Sequence, residues 1–295
     1  MSSRLLPPEV LQKLGGLSLK ARRMAEGMLT GLHKSPHHGA SIEFAEHKEY
    51  TPGDDMRHID WKAYGRLDRY YVKQFEQETN LRGFLLVDSS ASMSYQSESA
   101  PRSKQEQACV LAACLAYVLL RQQDSAGLLT FSEQPLTYIP PRATSRHLAH
   151  LTRALEGLEG EGGTDLVRAL DHLAELAPGH ANVFLFSDLF DPSAEVITRL
   201  QHLRARKHEV AVFHILDPWE VTFPFHELTE FVDIEDSERV VVSDPRGVRE
   251  AYLEEMAAFI EEMRKSCFES DLDYLTVTTD MPPERVLFEF LAGRQ

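Results

Sequence analysis

The sequence contains little that would tie the protein to a membrane, to nucleic acid or to an oxidising compartment. Its three cysteines include no Cys-x-x-Cys pair, which favours a reducing compartment, and we expect a cytoplasmic protein. The longest apolar run, Ala108 to Leu120, is too short to span a bilayer, and the N-terminus lacks a signal-peptide pattern. The formal net charge is −15, so the basic footprint that phosphate binding needs is missing and nucleic acid is excluded as a main partner.

Several motifs of nucleotide, hydrolase and zinc chemistry are also absent. The chain has no Gly-x-x-x-x-Gly-Lys loop, no Gly-x-Gly-x-x-Gly fingerprint after a strand and no Gly-x-Ser-x-Gly elbow. It has thirteen histidines but no His-Glu-x-x-His. The pair His37–His38 falls in an expected loop without an evident third ligand, so zinc is disfavoured.

From Leu81 onward, short apolar segments alternate with helical ones. Most of these segments are apolar throughout, which indicates a mainly parallel sheet with helices on both faces. The expected strands are 84–88, 126–131, 182–187, 209–216 and 273–279. The expected helices are 103–122, 144–158, 165–177, 193–206, 246–268 and 283–292. The prediction is a doubly wound α/β domain over residues 81–295.

Two shorter β features complete this domain. Pro135–Ile139 follows the second strand after a short turn, so we expect it to pair antiparallel at one edge of the sheet. A further β excursion is expected at 231–233 and 239–242.

Residues 1–80 are expected to form a separate N-terminal extension. Apolar spacing predicts one or two helices within 8–32, and the stretch from 40 to 80 looks β-rich, with a turn at Thr51–Asp55 and a strand at 69–75. The polar cluster around Trp61, from Asp54 to Lys62, is interpreted as a structural knot of turns and ion pairs; a second contact surface is the alternative.

Hard oxygen ligands follow the expected strands and turns at three places. In a doubly wound sheet, ligands gather outside the carboxyl ends of the strands at the switch point, where the first and fourth strands would be neighbours. Mg²⁺ prefers such oxygen ligands, with Mn²⁺ and Ca²⁺ as alternatives. The predicted metal ligands are Asp88, Ser90, Ser92, Thr164 and Asp188. Each has a local alternative, because Ser, Thr and Asp also cap helices and form turns; Thr164 would cap the helix that begins at Asp165, and Asp188 would turn the chain before Pro192.

This set resembles the metal-ion-dependent adhesion site of von Willebrand factor type A domains, over about residues 81–295. A second segment runs from Glu49–Asp55 through Arg57 and Ile59–Trp61 to Phe75–Glu76. It is similar to the hallmark of the bacterial domain-of-unknown-function family 58, whose members are typically encoded beside MoxR-type AAA+ ATPases.

The resemblance implies a function in binding rather than catalysis. Ser90 and Ser92 would bind the ion directly, Thr164 directly or through water, and Asp88 and Asp188 often through ordered waters. One coordination position would stay open for an acidic residue of a protein partner. The implied partner is a MoxR-type ATPase or its client, in a chaperone-like assembly.

A magnesium-dependent phosphohydrolase that uses Asp88 as nucleophile is the main alternative. Such sites usually place a second acid two residues after the nucleophile, and here that residue is Ser90. A lysine to neutralise phosphate is not evident in the sequence. A scaffold with a vestigial site is the third reading, and the complete set of five ligands argues against it.

Overall fold

The computed structural model describes residues 42–49, 64, 70–77, 81–177, 179–190, 195–232, 234 and 240–293. Leu32–Asn80 forms one compact unit, and Leu81–Gln295 belongs to another. In the first unit, β1 (Ile42–Glu49) and β2 (Tyr71–Gln77) pair antiparallel. The helices expected within 8–32, the turn at Thr51–Asp55 and the cluster around Trp61 lie outside the described residues. The domain boundary at residue 80 therefore stays a prediction.

The larger unit contains the alternating strands and helices that the sequence predicts. Its strands are β3 (Arg82–Asp88), β4 (Ser125–Phe131), β5 (Pro135–Arg142), β6 (Asn182–Ser187), β7 (Glu209–Leu216), β8 (Thr229–Val232), β9 (Val240–Ser243) and β10 (Asp273–Thr278). Its helices are α1 (Lys104–Arg121), α2 (Ser145–Glu156), α3 (Leu166–Leu176), α4 (Val196–Ala205), α5 (Pro218–Thr222), α6 (Pro245–Glu269) and α7 (Pro283–Gly293).

Six of these strands form one sheet in the order β10–β7–β6–β3–β4–β5. All neighbours are parallel except β4 and β5, so the edge strand is antiparallel as expected. Strands β8 and β9 form a separate antiparallel pair, which confirms the predicted β excursion. Among the described residues, no helix is long and apolar enough to cross a membrane.

The central strands are apolar throughout because both faces of the sheet are covered. On β3, Leu85 and Val87 join a buried cluster with residues of α1, α2 and α7. Phe84 and Leu86, which point to the opposite face, join a second cluster with residues of α3 and α4. Two cores on one sheet define the doubly wound α/β fold.

The position of β3 beside β6 decides where a ligand can bind. Numbered along the chain, the six strands of the sheet follow the order 3-2-1-4-5-6. Leu86 lies opposite Leu185 and Val87 opposite Phe186, so the residues that follow the two strands emerge side by side. Connections from β3 and β6 leave in opposite directions at this switch point and open a crevice between them.

All three cysteines lie in the core. Cys109, Cys114 and Cys267 are free and buried. Burial raises the pKa of each thiol to about 12, so very little thiolate exists at neutral pH.

We expect the folded protein to be inert to a thiol reagent. At pH 8, Ellman's reagent should label none of the three thiols within minutes, because the reactive thiolate is both buried and scarce. The same sample in guanidinium chloride is the control and should release three equivalents. Labelling of the native protein at the rate of a free thiol would contradict the packing of α1 and α6.

Candidate functional site

The loop after β3 is fixed to the neighbouring strand before it presents any ligand. The backbone N–H and the hydroxyl of Ser89 both donate to the carbonyl of Phe131, at 2.8 and 2.9 Å. The backbone N–H of Ser90 donates to Oδ1 of Asp88 at 3.0 Å, which forms a tight turn closed by the acid's own side chain. A single 3₁₀ turn, Ala91–Ser94, follows. These bonds aim Asp88, Ser90 and Ser92 toward the crevice between β3 and β6.

The structure brings together the five residues that the sequence predicts as metal ligands. Ser92 Oγ donates to Asp188 Oδ2 at 2.8 Å, across 96 residues of sequence. Ser90 Oγ lies 3.1 Å from Ser92 Oγ. Thr164 Oγ1 lies 3.4 Å from Asp88 Oδ2, a long and weak hydrogen bond. A chain of polar contacts thus links each acid to a hydroxyl from another loop.

Direct backbone contacts place the Thr164 loop on the Ser90 loop. The N–H of Glu161 donates to the carbonyl of Ser89 at 3.0 Å, and the N–H of Ala91 donates to the carbonyl of Gly162 at 2.8 Å. At Gly160 a Cβ atom would lie 2.9 Å from the carbonyl oxygen of Ser90, so only glycine allows the two loops to approach this closely.

The local alternative for Thr164 is wrong. The N-cap of α3 is Asp165, whose side chain accepts from the N–H of Arg168, and the helix begins at Leu166. Thr164 is therefore free of the capping role and turns its hydroxyl toward Asp88. Asp188 does make a local turn, because its Oδ1 accepts from the N–H of Phe190 at 3.2 Å, but its Oδ2 faces Ser92.

The last residue of β6, Ser187, contributes to the site, and the sequence analysis did not single it out. Ser187 Oγ donates to Asp88 Oδ2 at 2.6 Å and accepts from the N–H of Leu189 at 3.0 Å. Leu189 is buried and has a φ of 59°. This left-handed conformation is costly for a branched side chain and tends to occur where a functional loop is tightly constrained.

A buried lysine lies beside the acids, although no such lysine was evident from the sequence. Lys104 Nζ lies 2.8 Å from Asp188 Oδ2 and 2.6 Å from Glu220 Oε1. Burial alone would lower the pKa of Lys104, but the charges of Asp188 and Glu220 raise it above the ordinary value. The side chain is therefore an ammonium at neutral pH. Sequence gave no signal for this contact, because Lys104 looks like an ordinary residue at the start of a helix.

Asp217, which ends β7 on the same rim, has a structural role. It caps α5 in a capping box with Glu220, and its Oδ2 accepts from the N–H of Ser97 at 2.9 Å. This arrangement agrees with the expected turn. The N–H of Asp217 donates to Glu220 and so helps to position it. Because Asp217 also accepts from Ser97, it connects the loop after β3 to α5.

The two principal acids are completely buried and close enough to repel each other. Burial, followed by the charge of Asp188, raises the pKa of Asp88 to about 6. Asp188 and Ser90 are likewise buried, whereas Ser92 and Thr164 are partly exposed. The acids thus lie beneath a mouth formed by hydroxyl groups.

The donor set fits a hard cation. Ser92 donates its only hydroxyl proton to Asp188, so Ser90 must be the donor in the contact between the two serines. Ser92 Oγ uses one lone pair to accept from Ser90, so each of the three hydroxyl oxygens keeps at least one lone pair for a cation. Among the residues described, no three His, Cys, Asp or Glu side chains are grouped to hold a metal. Any ion at this rim would therefore rely on two carboxylates and neutral hydroxyls, the ligands that suit Mg²⁺.

The larger unit is a doubly wound α/β domain, and the five predicted ligands lie together at the rim of its sheet. The chain belongs to the family described as "Protein of unknown function DUF58", whose model matches residues 46–261. This match confirms the resemblance to domain-of-unknown-function family 58 that was stated on the residues from Glu49 to Glu76.

Relatives with similar sequences come from other bacteria. The uncharacterized protein Rv1480 of Mycobacterium tuberculosis is 27% identical over 301 residues, which cover 98% of this chain and 90% of the relative. The uncharacterized protein YeaD of Bacillus subtilis is 25% identical over 133 residues, 45% of this chain and 30% of that protein.

Solved structures with a similar fold are more distant in sequence. A conserved hypothetical protein BatB from Bacteroides thetaiotaomicron is 16% identical, with a TM-score of 0.47, and the match covers 72% of this chain and 99% of that one. A von Willebrand factor type A protein from Catenulispora acidiphila is 14% identical, with a TM-score of 0.41, over 75% of this chain and 43% of that one. Similarities this remote say nothing of ligands or activity.

We expect the stability cost of the Asp88 charge to depend on pH. Because the pKa of Asp88 is about 6 in the folded protein and 3.8 in the reference state, its favourable contribution is complete below pH 3.8 and is lost as the pH rises through 6. In chelator, the unfolding free energy of wild type relative to Asp88→Asn should rise by about 2.4 kcal/mol between pH 8 and pH 4. Urea titrations at several pH values measure this difference. A difference that does not change with pH would show that burial and the charge of Asp188 do not raise the pKa of Asp88.

Close packing of the two loops predicts a specific effect of Gly160→Ala. The added methyl group would also lie 3.2 Å from Ser94 Cβ, so the loops must separate, at a cost of about 1–3 kcal/mol. Chemical denaturation measures the loss, and calorimetric titration with Mn²⁺ should show weaker binding. The matched control is Gly247→Ala, where the new Cβ meets nothing within 4 Å and stability should be unchanged or slightly higher. Equal stability of the two variants would contradict the packing.

Proposed function

We propose that this protein is a non-enzymatic, metal-dependent protein-interaction module. A single divalent cation, Mg²⁺ with Mn²⁺ or Ca²⁺ as substitutes, would be held by Asp88, Ser90, Ser92, Thr164 and Asp188, and would bind a carboxylate of a protein partner. The observation that carries the proposal is the convergence of these five side chains, from three loops, at the switch point of the sheet.

Roles within the set follow from chemistry and exposure. The serine and threonine hydroxyls at the mouth would provide neutral oxygen ligands. The acids beneath them, Asp88 and Asp188, would supply negative charge, directly or through ordered waters. The two carboxylates roughly neutralise a divalent ion, and the hydroxyls add no charge, so a carboxylate of a partner could complete the coordination shell without a large like-charge penalty.

The charge around the mouth makes such an interaction dependent on the ion. The loop 157–165 carries Glu159, Glu161 and Asp165 but no lysine or arginine, and exposed Glu133 accepts from the N–H of Gly163. An acidic partner residue would be repelled here unless a cation supplied the attraction. The arrangement favours a partner whose single acid is surrounded by basic or neutral residues.

The cellular setting is proposed from the family resemblance. We infer a MoxR-type AAA+ ATPase or its client as the partner, in a chaperone-like assembly. A cytoplasmic location agrees with three free, buried thiols.

Metal titration is the direct test. Isothermal calorimetry with Mg²⁺ and Mn²⁺ should show one site in wild type and at least about tenfold weaker binding in Ser92→Ala and Asp88→Asn, because each loses a ligand or a charge. Asp171→Asn removes an exposed acid on α3 that pairs with Arg199 and is the control that should bind like wild type. The absence of heat and of any thermal stabilisation with Mg²⁺, Mn²⁺ and Ca²⁺ would overturn the proposal.

Recognition of a partner needs a second measurement on the same variants. Affinity capture from a cell extract, with wild type and Asp188→Ala, should recover a protein only with wild type and only without chelator. Equal recovery in all four conditions would remove the metal from recognition even if an ion binds.

One observation supports the phosphohydrolase alternative: Lys104, a residue type that could neutralise a phosphate group, lies beside Asp188. Against it, Lys104 is already paired with two acids. Ser90 stands at the position where a general acid is needed, and its hydroxyl is too weak an acid for that role at neutral pH. A phosphatase screen with Mg²⁺ separates the two functions. Turnover in wild type that disappears in Asp88→Asn would replace the binding function with an enzymatic one.

A further inference from the structure

Lys104 occupies a position that is unfavourable for a lysine in two ways. It is the first residue of α1, where the helix dipole disfavours positive charge. It is also 1% exposed, although a buried ammonium loses its hydration and is stable only when it is paired. Local helix chemistry therefore does not explain this lysine, and the reason must lie in its contacts.

Those contacts connect the candidate cation site to α5. Lys104 Nζ donates to Asp188 Oδ2, the same oxygen that accepts from Ser92 Oγ, and to Glu220 Oε1. The ammonium also lies 4.9 Å from the centre of the Phe190 ring, which covers it from the rim. Asp188 is thus shared between a predicted metal ligand and a fixed positive charge.

The charges in this group balance those of a divalent ion. Asp88, Asp188 and Glu220 carry three negative charges, and Lys104 carries one positive charge, which leaves a net charge of two negative units. Without the lysine, three negative charges would meet in a site that is almost completely buried. Such a site would attract a cation more strongly and would be less stable without one.

We propose that Lys104 is the residue that sets the charge, and hence the cation affinity and selectivity, of this site. Its ammonium holds Asp188 in place when no ion is bound and limits the attraction that an entering cation feels. The inference rests on the proposed metal-binding function. It adds that the site is tuned for weak, exchangeable binding of a divalent ion.

Two variants that change one charge in opposite directions test the proposal. Lys104→Gln removes the positive charge but keeps a hydrogen-bond donor, so Mn²⁺ should bind at least about tenfold tighter. The gain should be larger for Tb³⁺, because the Coulomb energy scales with the charge of the ion. Glu220→Gln removes a negative charge from the same group and should weaken Mn²⁺ binding severalfold. Lys265→Gln removes an exposed lysine on α6 and is the control that should match wild type.

Stability in chelator supplies a readout that does not depend on metal affinity. Lys104→Gln should unfold at a temperature lower by roughly 5 °C or more, since two buried acids lose their counter-charge. Saturating Mn²⁺ should restore most of that loss. A lysine with only a packing role would give the opposite pattern, in which a disturbed site binds Mn²⁺ more weakly.

The outcomes distinguish this inference from the proposed function. Tighter binding in Lys104→Gln together with weaker binding in Glu220→Gln supports the inference. Unchanged or weaker binding in a folded Lys104→Gln overturns it while the metal site stands. If Lys104→Gln does not fold, an affinity of Glu220→Gln equal to that of wild type overturns it. If the wild-type protein binds no ion, both the proposed function and this inference are refuted.

Discussion

The side-by-side placement of β3 and β6 is the constraint on which the candidate site depends. Parallel pairing in register puts Val87 opposite Phe186, so Asp88 and Ser187 emerge at the same level and meet through a hydrogen bond of 2.6 Å. The connections then depart in opposite directions, and the crevice between them is open to the loop 157–165. Without this pairing, the acids and hydroxyls would belong to unrelated turns.

Buried charge is the second constraint, and it limits what the rim can do. Asp88 and Asp188 are completely buried, and such acids are tolerated only when donors or counter-charges surround them. Ser90, Ser187 and Thr164 provide donors for Asp88, whereas Asp188 depends on a full positive charge from Lys104. The hydrogen bonds to Asp88 offset only part of the cost of burying its charge, and its pKa is therefore raised. The crevice is therefore organised around an excess of negative charge that a cation would relieve.

Much of the fold could be predicted because a strand that is buried on both faces of a sheet has an apolar residue at almost every position. Apolar runs such as Phe84–Val87 and Val183–Phe186 lie where the strands are, and the carboxyl-end rule then places Asp88 near Asp188. Side-chain pairing was less predictable. Lys104 meets Asp188 across 84 residues and Glu220 across 116, and such contacts depend on the packing of α1 and α5 rather than on any local pattern. Which residue caps α3 was also not predictable: the local alternative for Thr164 was the N-cap, whereas Asp165 caps the helix, and both residue types cap helices well.

The same features that suit cation binding make catalysis at this rim difficult. A nucleophilic acid needs an accessible oxygen and a proton donor nearby, but both oxygens of Asp88 already accept hydrogen bonds and the side chain is covered by the hydroxyls. The nearby ammonium is committed to Asp188 and Glu220, so it cannot move to a developing charge without leaving two buried acids unpaired. Binding of an ion requires neither a proton donor nor a movement of Lys104, because free lone pairs of the hydroxyl oxygens could coordinate the ion directly. The buried charge and the hydroxyl oxygens at this rim therefore support the proposed binding of an ion more than an attack by Asp88 on a substrate.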